Sequence, residues 1–100
     1  MFNKLKQFKD LRDQAKHFQD ELSKESENGS ALGGDIQITL DGNLVMTNFT
    51  IAESLLTPDK KDKVVAGVKD AYSDALKKIQ RTMAVKMKEM GGLPKIPGLS

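Results

Sequence analysis

Five basic side chains, Lys77, Lys78, Arg81, Lys86 and Lys88, fall within twelve residues near the end of the chain. Ammonium and guanidinium groups repeated at short intervals hold phosphate, and such contact needs only cations on a surface that follows a polyanion backbone. Residues 76–100 concentrate this charge, with Lys77, Lys78, Arg81, Lys86, Lys88 and Lys95 against Glu89 alone. Residues 1–56 carry six Lys and Arg against nine Asp and Glu, whereas residues 57–100 carry ten against five, so the formal charge of +2 conceals an acidic and a basic part. A second, diluted cationic set, Lys4, Lys6, Lys9 and Arg12, shares its segment with Asp10, Asp13, Asp20 and Glu21. A merely solvated helix face has the same composition, so charge alone leaves both readings open.

Other chemistry finds little foothold. The chain has no cysteine, which removes thiolate catalysis, disulfides and iron–sulfur ligation and fits a reducing interior, the cytoplasm. His17 is the only histidine and lies between Lys16 and Phe18, with no constellation for nucleophilic catalysis or metal binding. Asp59, Asp62, Asp70 and Asp74 fit helix surfaces and caps. Ser26 to Gly34 holds three glycines, but no Walker spacing and no following lysine, so it is no nucleotide loop. The expectation is no enzyme, with no catalytic residue, cofactor, metal or small-molecule substrate.

The elements that position these residues follow from periodicity. From Phe2 to about Lys24 there is no Gly or Pro, and Leu5, Phe8, Leu11, Ala15, Phe18 and Leu22 recur every three or four residues, which predicts an amphipathic helix over 2–25. Its seam is just over two heptads long, suited to packing on one neighbouring helix or subunit. The Gly- and Ser-rich stretch 26–34 reads as a flexible connector. Ile36, Ile38 and Leu40 alternate before Asp41-Gly42, predicting an antiparallel hairpin over 35–51. Its return strand carries apolar residues on both faces, so helices are expected over one face and a second subunit over the other. Thr57 as N-cap and Pro58 at the first helical position open a long helix over 58–90, with a stripe from Val64, Val68 and Ala71 to Ile79 and Met83. Residues 91–100, with Gly91-Gly92, Pro94 and Pro97, read as a mobile tail.

Helix, hairpin or short sheet, then long helix is an α+β arrangement in one domain over 1–90. Two strands and a core without tryptophan are marginal alone, which points to self-association. The start shows no apolar targeting core and no window reaches the ~20 apolar residues of a membrane span, so neither secretion nor a membrane partner is expected.

Taken in order, these pieces resemble the YbaB/EbfC family of small bacterial nucleoid-associated DNA-binding proteins. Gln14-Ala15 lies in a polar first helix, Gly34-Asp35-Ile36-Gln37-Ile38 precedes an Asp41-Gly42 turn, and Ile51 with Ser54-Leu55-Leu56 is similar to the family's step into its last helix. Asp74-Ala75 with Lys77-Lys78, then Gly91-Gly92-Leu93-Pro94 and Pro97-Gly98, complete the likeness. Ala52-Glu53 and Ser73 depart from it, standing where the family tends to Asp-Pro and Asn. The resemblance implies a homodimer with a joint sheet and projecting helical arms, holding double-stranded DNA on the nucleoid through phosphates with low sequence specificity, and modulating expression or compaction. RNA offers the same phosphates and stays open as a ligand. The alternative is a small adaptor or chaperone that engages protein through the Phe8, Leu11, Phe18 and Leu22 seam.

Overall fold

The computed structural model describes residues 2–89; Met90 and the tail read at 91–100 lie outside the described residues. The order is α1 (Phe2–Ser23), β1 (Ser26–Ala31), β2 (Ile36–Asp41), β3 (Met46–Ile51) and α2 (Lys61–Glu89), with 3₁₀ turns at Leu32–Gly34, Glu53–Leu55 and Pro58–Lys60. The three strands form one antiparallel sheet in the order β1-β2-β3. This is the expected α+β class.

The stretch expected to be a flexible connector is instead largely strand β1, in register with β2 from Ser26 opposite Asp41 to Ala31 opposite Ile36. The physical reason is Gly29. A Cβ built there would overlap the backbone of Ala71 and Ala75, so the absent side chain lets strand and helix touch. Flexibility was the wrong meaning for that glycine. The reversal into β2 uses three successive left-handed residues, Leu32 (φ 55°), Gly33 (φ 69°) and Gly34 (φ 96°).

The β2–β3 connection also differs from a two-residue Asp-Gly turn. Asp41 Oδ1 accepts from the amides of Asn43 (2.8 Å) and Val45 (3.0 Å), and Leu44 takes the left-handed position (φ 64°). β3 therefore starts at Met46. Gly42 serves α1: its N–H donates to the carbonyls of Leu22 and Glu25, both at 3.1 Å, and a Cβ there would meet Leu22. That contact stops the helix at Ser23, short of the expected 25. Thr57 is extended but makes no side-chain cap, and a 3₁₀ turn precedes α2.

The core is one layer of α2 on one face of the sheet. Ile36, Ile38 and Leu40 of β2 are fully buried against Gly67, Ala71, Ala75 and Ile79, a four-residue repeat of mostly small side chains that lets the helix lie close. Phe49 lies opposite Ile38, and a register shift between Thr39 and Leu40 sets Met46 opposite Leu40, so the apolar residues of β3 share the helix side. The other face carries Asn28, Ser30, Gln37, Thr39, Asn48 and Thr50, and Asn28 donates to Thr39 across it (3.0 Å). The expectation of two apolar faces is corrected accordingly: only one is apolar. β3 itself is exposed along its length apart from a half-buried Ile51.

Candidate nucleic-acid interface

Helical geometry sorts the five basic residues of α2. Lys77, Arg81 and Lys88 fall four and seven residues apart, on one face, over about 16 Å at 1.5 Å per residue. All three are exposed, and no ion pair among the described residues uses them. They form a solvent-facing cationic row. Lys63, also exposed, extends the same face 14 residues upstream.

Lys78 and Lys86 point elsewhere. Lys78 Nζ lies 3.1 Å from Asp74 Oδ2 and donates to the Asn28 carbonyl at 3.1 Å, tying α2 to β1. Asp74 also accepts from the Ser30 amide at 3.1 Å; that hydrogen bond first, and Lys78 second, hold its carboxyl below the usual aspartate range. Lys86, only 15% exposed, reaches Glu25 Oε1 at 2.9 Å and Glu21 Oε2 at 3.9 Å. Beside it Thr82 donates to Glu27 Oε1 at 2.8 Å. These contacts join α2 to the α1–β1 junction, so two of the five cations hold the fold together.

On α1, Lys4, Lys6, Lys9 and Arg12 are all exposed. Lys9 and Arg12 share one face, and Lys16 continues it; the three line a surface recess with Asp13, Ala15 and Gln19. Lys16 was missed as a candidate, although its spacing of four from Arg12 carried the signal. Lys4 and Lys6, two residues apart, face different ways. The two cationic sets thus sit on separate helices whose junction is the Lys86 contact.

No group of three or more His, Asp or Glu that could hold a metal occurs among the described residues. The arrangement offers salt-dependent binding of phosphates along α2 and, on a second helix, around Lys9, Arg12 and Lys16.

Comparison with known proteins places the chain. The profile of the YbaB/EbfC DNA-binding family matches residues 1–93. A nucleoid-associated protein of Gloeobacter violaceus is 40% identical over 96 residues, covering 95% of this chain and 86% of the relative. One of Bartonella bacilliformis is 31% identical over 98% of this chain and 92% of its own. Among solved structures, an uncharacterized protein from Helicobacter pylori superposes with a TM-score of 0.65 at 17% identity, covering 92% of this chain and 98% of that one, which shows a shared fold.

Proposed function

The chain belongs to the YbaB/EbfC DNA-binding family, and from that premise we propose that it binds double-stranded DNA as a homodimer on the nucleoid, in the cytoplasm, mainly through backbone phosphates. The single observation that carries the phosphate mechanism is the exposed row Lys77, Arg81 and Lys88 on one face of α2. Lys4, Lys6, Lys9 and Arg12 add weaker contacts, because Asp10 and Asp13 sit among them. Lys78 and Lys86 have intramolecular partners and contribute less directly. A smooth cationic helix face reads charge and DNA shape before base identity, which supports low sequence specificity.

The dimer rests on β3. Residues 46–51 present a free strand edge with no charge and no proline, the devices that normally protect an edge. Exposed apolar groups flank it: Leu44, Val45, Met46, Phe49 and Leu56 around the strand, with Val65 and Tyr72 on the adjoining flank of α2. Antiparallel pairing of β3 with its twofold copy joins two three-stranded sheets and covers that patch from both sides.

A gel-shift titration with one labelled duplex, competed by unlabelled duplex, single-stranded DNA and RNA, tests the reading. Binding best competed by duplex, weakening about a thousandfold from 50 to 200 mM salt, is expected for six phosphate contacts. Preference for RNA, or no shift at low salt, contradicts it.

A further inference from the structure

The apolar stripe of α1 has no partner within the described residues except at its root. Leu22 is buried, Phe18 and Leu11 are half-buried, while Phe8 and Leu5 are 68% and 74% exposed. The molecule measures 63 × 27 × 19 Å. Charge is graded along the same helix. Residues 4–16 carry five cations against Asp10 and Asp13, whereas residues 17–27 carry Lys24 against Asp20, Glu21, Glu25 and Glu27. The outer turns therefore carry both the exposed apolar side chains and the excess of cations.

The two properties share one side of the helix. At 3.6 residues per turn, Lys4, Lys9, Arg12 and Lys16 all stand within about 100° of the direction of Phe8, while Asp10 and Asp13 lie beyond it. An exposed apolar stripe bordered by basic side chains, with Asp10 on the far side of the helix and Asp13 outside the basic border beside Lys9 and Lys16, matches the boundary of an anionic bilayer: the apolar groups enter and the long cations reach headgroup phosphates. Duplex DNA satisfies the charge but leaves Leu5 and Phe8 in water. A second α1 laid parallel brings two basic tips together, and an antiparallel one needs the root, where Leu22 is already covered.

We propose that the outer turns of α1 form a peripheral docking site for anionic lipid surfaces, seated by Leu5, Phe8 and Leu11 and held by Lys4, Lys9, Arg12 and Lys16. The site is separate from the α2 row and does not depend on it. Lys4, Lys9, Arg12 and Lys16 are shared between the two kinds of anionic surface, so duplex competes with lipid there.

Flotation of the full-length protein with phosphatidylglycerol vesicles, against phosphatidylcholine vesicles, tests the proposal. The expected result is at least tenfold greater recovery with the anionic vesicles, lost in Phe8→Glu and in Leu5→Glu, and unchanged in Lys77→Glu/Arg81→Glu. Both apolar positions are exposed, so the variants fold, which circular dichroism verifies. No enrichment on anionic vesicles overturns the proposal. So does flotation that survives Phe8→Glu, flotation lost instead in the α2 variant, or a change of oligomeric state in Phe8→Glu without any effect on lipid, which makes the stripe a protein interface.

Discussion

The Lys86 ammonium lies 2.9 Å from Glu25 Oε1, with Glu21 Oε2 at 3.9 Å on its other side, so the most enclosed cation of α2 holds the α1–β1 junction against that helix. Lys77 and Arg81, on the same helix, face water. Cations close in sequence therefore divide between fold and ligand.

Lys86→Glu puts three carboxylates together where an ion pair stood. It is expected to lower unfolding stability by about 1–2 kcal/mol, the pair being partly screened by solvent. Lys77→Glu with Arg81→Glu is expected to leave stability within about 0.5 kcal/mol, as surface changes do, yet to weaken duplex binding more than tenfold. Urea unfolding and gel shift on the same preparations separate the two effects. Equal destabilisation by both variants contradicts the division.

Gly29→Ala has an expected sign opposite to the usual benefit of removing a glycine from a strand. The added methyl meets the backbone of Ala71 and Ala75, which cannot step aside as a side chain can. Destabilisation of about 3 kcal/mol is expected, at the upper end for overpacking, measured by thermal or urea unfolding. A neutral or stabilising result means that β1 does not lie on α2 as described.

Asp74 sets a pH dependence. Its carboxyl is held below the ordinary aspartate range by the Ser30 amide and then by Lys78. A depressed carboxylate contributes stability above its unfolded pKa and loses it as pH falls through the folded one. Wild type is therefore expected to be more stable than Asp74→Ala at pH 7, with the difference shrinking as the solution is acidified through the aspartate range. A difference that stays constant with pH means the charge is not what matters.

Phe49→Asp and Tyr72→Asp place charge in the patch beside the free edge of β3, where both residues are partly exposed. Each is expected to convert a dimer into a folded monomer, read by light scattering with circular dichroism. A dimer that persists in both variants moves the interface elsewhere.

What could be read from the residues alone depended on periodicity. Strict alternation at Ile36, Ile38 and Leu40 and the long stripe to Met83 marked β2 and α2, because burial on one face leaves a regular signature. β1 left none. One face of Ser26–Ala31 is solvated, and the other presents Gly29 and Ala31, whose value lies in being small. Contacts over 44 to 61 positions, such as Ser30 with Asp74 and Glu25 with Lys86, are also invisible locally. That is why Lys78 and Lys86 looked like Lys77 and Arg81. Lys16, four residues from Arg12, carries a legible spacing signal of its own.

Phosphate binding by the exposed row is tested by the salt dependence of duplex affinity in wild type and in Lys77→Gln/Arg81→Gln. The row Lys77, Arg81 and Lys88 gives about six phosphate contacts per dimer, and hence a log–log slope near −5 at about −0.9 per contact. The double variant, with about two contacts left, is expected near −2. Equal slopes, or an affinity indifferent to salt, would contradict phosphate binding by the exposed row of α2.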